Sequence, residues 1–220
     1  LNYKTPEQSV NAISLACSAA GSLDAELIVV DNGSSDGSVE YIKAKLPDIK
    51  LVELPRNAGF AGGMNAGIKS SSGDYILLLN SDIEPEQDSV TALYEYMITN
   101  PSVGLAAPLL LDISGRHSRT LLLQPTMPRL LLPIVGRLEY NRWRDKINDQ
   151  PIEVEAAEGG AVIISREVLD RAGYLDEDFF FYHEIVDWCM RICKAGFNVV
   201  VNPQSSMIHA CGGSTDGVRK

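Results

Sequence analysis

Apolar residues along this chain fall into short unbroken runs separated by amphipathic stretches. Residues 26–30, 50–54, 75–79 and 103–108 read as strands. Their lack of polar alternation marks strands covered on both faces, as in a sheet with crossover helices. Between them, residues 6–20, 37–46, 61–71 and 85–100 read as helices, punctuated by Gly21, Pro47, Gly73 and Pro101. The β-α-β-α-β-α-β order predicts an α/β fold with an open, mostly parallel sheet flanked by helices. Ligands of such sheets bind outside the carboxyl ends of the strands. From 111 to 155 the pattern breaks where Pro125, Pro128, Pro133 and Pro151 interrupt short apolar runs, and this stretch reads as an insertion over one edge. Regular order resumes with a strand at 161–165, helices at 166–172 and 184–195, and a strand at 198–201. Leu1-Asn2-Tyr3 resembles the last residues of a first strand whose body is truncated, so a longer natural chain is expected.

At 220 residues and 45% hydrophobic, the chain can bury one good core, and a single domain over 1–220 is the simplest reading. A formal net charge of -10 argues against a protein that tracks a nucleic-acid backbone, so no nucleic-acid partner is expected. The exception is the arginine-rich stretch 116–146, where Leu130-Leu131-Leu132 and Trp143 make peripheral membrane contact a candidate beside an ordinary packed flap. No apolar run reaches the length needed to span a bilayer. The four cysteines, Cys17, Cys189, Cys193 and Cys211, show no CxxC pairing, which points to packed thiols in a reducing, cytoplasmic compartment. A zinc set drawn from Cys189, Cys193, His209 and Cys211 fits no familiar structural spacing.

Four segments carry candidate chemistry. Asp31 closes a strand, and Asn32, Gly33 and Ser34 follow in a turn. These residues suit any βα turn, but a carboxylate at that rim can also accept the imide N–H of uracil or thymine. Arg56 and the glycine-rich segment 57–67 follow the next strand; its glycines, Gly62 among them, let backbone approach a ligand, with Arg56, Asn57 and Asn65 as candidate contacts. Asn80-Ser81-Asp82 directly follows the apolar strand 75–79. One Asp suffices for Mg²⁺ or Mn²⁺, ions that bind through few carboxylates plus substrate phosphates. Asn80 can reach a ribose or sugar hydroxyl, and Ser81 keeps the turn small. Last, Glu184, Asp187 and Arg191 share one helical face, read either as an internal ion pair or as an acid poised to take a hydroxyl proton. His209 precedes Gly212-Gly213-Ser214 and is a candidate metal or diphosphate ligand.

In order, VDNGSSDGS, NAGFAGGMNAGI, YILLLNSD, GGAVIISREVLDRAGYLDEDFFFYHE, VDWCMR and IHACGGST resemble the inverting glycosyltransferases of family 2, within them the bacterial rhamnosyltransferase branch. The resemblance covers nearly the whole chain. It implies the nucleotide-diphospho-sugar transferase (A-type) fold, with residues 1–110 as the nucleotide-binding half, 111–155 as a variable insertion and 156–220 as the acceptor half. It further implies that Asp31 and its neighbours hold the base, that Asp82 is the metal-binding aspartate and that His209 is the late metal-site histidine. The expected partners are a nucleotide-diphospho-sugar, plausibly dTDP-rhamnose, and a cell-surface polysaccharide or lipid-linked glycan, met at the inner face of the membrane. The family shows two adjacent acids, the second serving as base, where this chain has Glu184-Ile185; the chain departs from the pattern there, and Glu184 or, second, Asp187 is expected to take the role. A non-catalytic sugar-nucleotide-binding or scaffolding subunit, and a nucleotidyltransferase, stay open as alternatives.

Overall fold

In a computed structural model that describes residues 1–180 and 182–210, the chain runs α1 (Pro6–Ala19), β1 (Ile28–Asp31), α2 (Ser38–Lys45), β2 (Lys50–Glu53), α3 (Gly59–Ser70), β3 (Tyr75–Leu79) and β4 (Ile83–Pro85). It continues through α4 (Ser89–Thr99), β5 (Val103–Leu111), β6 (Leu121–Leu122), α5 (Met127–Leu131), α6 (Pro133–Arg144), β7 (Ile152–Glu153), β8 (Ala156–Ala157), β9 (Ala161–Ser165), α7 (Arg166–Ala172), α8 (Glu184–Lys194) and β10 (Asn198–His209). The sequence motifs at Phe181, Cys211 and Gly212-Gly213-Ser214 lie outside the described residues.

The expected open α/β sheet is present, but its pairing is more mixed than the alternating order suggests. The central order is β3-β9-β5-β10-β4, with β7 also on β10. Strands β5 and β10 run parallel, whereas β9 lies antiparallel between β3 and β5, and β4 and β7 run antiparallel to β10. Strands β3, β5 and β10 therefore share one direction, and β9 starts at the end where β3 finishes and runs back against β3 and β5. Strands β1 and β2 form a separate parallel pair. Leu1 and Asn2 stand between that pair and β3: the Leu1 amine donates to Leu79 O at 3.0 Å, and the Asn2 N–H donates to Val30 O at 2.8 Å. Behind them, a trough of about 490 Å³ lined by Ala12, Ala16, Val29, Ile68, Ile76 and Leu78 separates β1 from β3.

Helices cover both faces of the sheet, as continuous apolar strands require. One core packs Met64 and Ile68 of α3 and Trp188 and Ile192 of α8 against Leu78, Leu105, Val162 and Val199. The other packs Leu93 and Met97 of α4 against Ala106, Ile163, Val200 and Met207. Together they hold the carboxyl ends of β1, β3 and β10 near one rim, where the polar motifs emerge.

Candidate active site

The rim is built from turns whose side chains first satisfy one another. Asp31 Oδ1 accepts from Asn2 Nδ2 and Ser34 Oγ, each at 2.6 Å, and Oδ2 accepts the Ser34 N–H at 3.0 Å. A carboxylate offers about four acceptor positions, so Asp31 keeps roughly one for a ligand. Gly33 follows at φ +71, and a Cβ there would lie 2.4 Å from the Arg56 carbonyl carbon. The β1–α2 and β2–α3 turns are thus pressed together at a point where only glycine fits. Asn32 joins the same two turns, donating to Asn57 Oδ1 at 3.1 Å and to Gly59 O at 2.9 Å, and accepting from Ala58 N at 2.9 Å. Beside them opens a polar hollow of about 260 Å³ lined by Asp31, Gly33, Ser35, Asp36, Ser38 and Glu53 among others, with Arg56 exposed nearby.

Two expected contacts are placed elsewhere. Asn65 is buried and spends its amide on the 175–177 loop, donating to Leu175 O and Glu177 Oε1 at 2.9 and 2.8 Å and accepting from Leu175 N at 3.1 Å. Gly62 faces the same loop from within α3, where a Cβ would meet Ala58 Cβ at 2.8 Å and Glu177 Oε2 at 3.9 Å. Helix packing explains both: three to four residues apart, they share the α3 face turned to that loop.

The β3–β4 turn presents Asn80, Ser81 and Asp82. Asn80 N–H bonds Gly160 O at 2.9 Å, and Ser81 Oγ meets Thr5 Oγ1 at 3.0 Å. Asp82 is 6% exposed, and its Oδ1 is buried with no hydrogen-bond partner among the described residues. Its Oδ2 lies 3.6 Å from His209 Nε2, brought there because β10 runs on to His209 and pairs with Ile83 of β4. The Asp82 carboxylate holds the imidazole above its ordinary pKa, with burial opposing. A buried, unpartnered carboxylate oxygen carries a desolvation cost that a cation removes. The Asp–His donor pair also suits a divalent ion that completes its shell with phosphate oxygens.

Across the rim, Tyr182 and His183 take left-handed backbone at φ +68 and +70, a strained approach that sets Glu184 at the start of α8. Glu184 is 6% exposed, its Oε2 has no hydrogen-bond partner among the described residues, and burial pushes its carboxyl up. Asp187 is instead engaged by Arg191 at 2.8 Å, and that guanidinium also reaches Ala172 O at 2.5 Å, which fastens α8 to α7. The sequence reading did not include Glu158, which faces this rim from between β8 and β9. Burial raises its pKa, the charges of His209 and Arg119 pull it back, and Asp82 raises it again. A lone carboxylate inside Ala156-Ala157-Glu158-Gly159-Gly160-Ala161 was the signal available in the sequence.

The sheet flanked by helices thus carries an aspartate–histidine pair and an acidic residue at one rim, and comparison with known proteins gives the class of the fold. The model for "Glycosyl transferase family 2" matches residues 8–173, and the chain belongs to that family. It is 30% identical over 204 residues to "Low-salt glycan biosynthesis hexosyltransferase Agl10" of Haloferax volcanii, covering 90% of this chain and 62% of that protein. It is 27% identical over 196 residues to "dTDP-rhamnosyl transferase RfbF" of Shigella flexneri, covering 84% of this chain and 60% of that protein. The chain therefore spans less than two thirds of these curated relatives. Among solved structures, the mannosyltransferase PcManGT of Pyrobaculum calidifontis, in complex with GDP-Man and Mn²⁺, superposes with a TM-score of 0.70 at 18% identity, covering 97% of this chain and 56% of that one. At that identity, the superposition establishes the shared fold.

Proposed function

We propose that the chain is the catalytic domain of a metal-dependent inverting glycosyltransferase. It moves a hexose, with rhamnose from dTDP-rhamnose as the first candidate, onto a cell-surface polysaccharide or a lipid-linked glycan. The observation that carries this reading is the buried Asp82 Oδ1, unpartnered among the described residues, beside His209 at the sheet rim. Those two residues would hold Mg²⁺ or Mn²⁺, whose chemistry is to neutralise charge on a departing diphosphate. The polar hollow beside Asp31, with Asn32, Gly33, Ser34, Arg56 and Asn57, takes the nucleoside, so residues 1–110 serve the donor and 156–220 the acceptor. Asn80 and Ser81 face the ribose and sugar, and a rim carboxylate takes the proton of the attacking hydroxyl. The named relatives support a rhamnosyl or hexosyl donor.

The test is incubation with Mn²⁺ and, in turn, dTDP-rhamnose, UDP-N-acetylglucosamine and GDP-mannose. The expected result is slow, metal-dependent release of nucleoside diphosphate from one donor. Binding without release would identify a non-catalytic subunit, and release of pyrophosphate a nucleotidyltransferase.

The insertion bears on where the acceptor is met. Among the described residues no helix is long and apolar enough to cross a membrane. Helices α5 and α6 and the Leu132 between them nevertheless expose Met127, Leu130, Leu131, Leu132, Ile134 and Leu138 beside the exposed Arg137 and Arg142. Arg129 turns inward instead, bonding Glu139 and, at 2.6 and 2.7 Å, the two Glu155 oxygens, which holds the hairpin with its apolar side outward. In a chain of net charge -10, this basic, apolar face matches an anionic bilayer at the cytoplasmic side. Flotation with phosphatidylglycerol vesicles is expected to carry the protein. Leu131→Glu/Leu132→Glu is expected to weaken that binding by about tenfold or more, the scale of two leucines withheld from lipid. Equal flotation of the variant, or none for the parent, would rule out this face.

A further inference from the structure

Glu158 occupies a place at the rim that the metal pair and the donor hollow leave unused. It follows β8, and its N–H donates to Thr120 O at 2.8 Å. The next two residues, Gly159 and Gly160, turn the chain into β9, and Gly160 O accepts the Asn80 N–H at 2.9 Å. The turn that carries Glu158 is thus fastened to the Asn80-Ser81-Asp82 turn. On its other side it lies against α8, since a Cβ on Gly159 would stand 3.4 Å from the Ile185 side chain. Glu158 is consequently set among charges from four directions: Asp82 after β3, His209 at the end of β10, Arg119 before β6 and Glu184 at the start of α8.

Three carboxylates flank the place where a sugar acceptor would approach, and their surroundings differ. Asp187 is held by Arg191. Glu184 is sunk in the core, with Oε2 unpartnered behind the rim. Glu158 is half-buried and makes no ion pair among the described residues, so it combines access for an acceptor with a desolvated setting. Its two carboxylate neighbours, Asp82 and Glu184, each keep a buried oxygen with no hydrogen-bond partner among the described residues.

We propose that Glu158 is the proton acceptor of the transfer step. This rests on the sugar-nucleotide reading above and assigns its base. The acceptor oxygen bonds to the anomeric carbon as the bond from that carbon to the diphosphate oxygen breaks. The nucleoside diphosphate leaves with the bonding pair, while the hydroxyl proton passes to the Glu158 carboxylate and then to water. Desolvation strengthens the carboxylate as a base, and Glu184 behind it acts as a positioning residue.

The experiment compares the parent protein with Glu158→Gln, Glu184→Gln and Glu158→Gln/Ile185→Asp. Donor turnover is read with dTDP-rhamnose, Mn²⁺ and water as the acceptor, and dTDP binding is read by calorimetry with Mn²⁺. Glu158→Gln is expected to lose about 10²–10⁴-fold in release of dTDP, with dTDP affinity within about twofold of the parent and an unchanged unfolding midpoint. The added aspartate, which sits against the same turn, is expected to restore at least part of the rate. Glu158→Gln turning over at a tenth of the parent rate or better overturns the proposal. So does a loss of dTDP affinity, which would make Glu158 a donor contact. A parent protein that binds neither dTDP nor dTDP-rhamnose with Mn²⁺ defeats the sugar-nucleotide reading itself and is told apart by the binding arm.

Discussion

Asp82→Asn is expected to abolish metal-dependent donor turnover, by roughly 10²-fold or more, while leaving the fold intact. The substitution keeps the size of the side chain and replaces an acceptor-only carboxylate with an amide whose NH₂ cannot ligate a cation. Metal stabilisation of a departing diphosphate is worth several kcal/mol, and each ~1.4 kcal/mol is a factor of ten in rate. Stability should hold or rise slightly, because Asp82 Oδ1 is buried without a partner among the described residues and a neutral group is cheaper to bury. The check is calorimetry of dTDP with and without Mn²⁺, beside the release assay and a thermal melt. A variant that keeps a third of the parent's rate, or whose melting falls sharply, would show that Asp82 serves the turn and not a cation.

Trp188→Ala is expected to cost about 3–5 kcal/mol of unfolding free energy, a large share of the ~5–15 kcal/mol typical of a domain. Trp188 is 0% exposed, sits in the core between α8 and the sheet, and donates from Nε1 to Gly173 O at 2.8 Å. Truncation leaves a cavity and an unsatisfied carbonyl together. Trp188→Phe fills most of the volume but leaves the carbonyl unpaired, so about 1–3 kcal/mol is expected. Urea titrations measure both. Because Glu184 opens the same helix, loosening α8 should also slow turnover more than it weakens dTDP binding. A stable Trp188→Ala protein with parental turnover would mean that α8 is held chiefly by Ile192 and the Arg191 contacts.

Local rules carried much of the fold. The strands at 75–79 and 161–165 and the helix at 166–172 stand where the apolar runs and their breaks place them. The errors share a cause, which is residues whose role depends on position. Pro128 and Pro133 looked like interruptions, yet each falls in the first turn of a helix, where the missing N–H is no loss. Strand β10 was expected to end at 201 because Asn202-Pro203-Gln204-Ser205-Ser206 is polar and contains proline. The strand absorbs this stretch as a shift in register and continues to His209. The helix expected from 85 starts at Ser89 because Ile83–Pro85 pairs with β10 instead, a contact more than a hundred residues distant that no window can show. The same is true at the rim. The Asp82–His209 pair could be anticipated from a familiar order of motifs, whereas Glu158 is brought there by the β8–β9 turn and the bonds of Gly160 to Asn80. Asn65 carried a ligand-like signature among glycines, but tertiary packing turned it toward another loop.

The bonds from Asn65 to the 175–177 loop, with the Phe60 N–H on Phe180 O at 3.3 Å and Gly59 closed against the same carbonyl, bear on hybrid proteins built from this chain and a relative. A splice that imports 174–184 must bring the matching residues at 59, 60 and 65 with it. Otherwise the graft meets an α3 surface shaped for a different loop, and the two halves inherit a seam that neither parent had to accommodate.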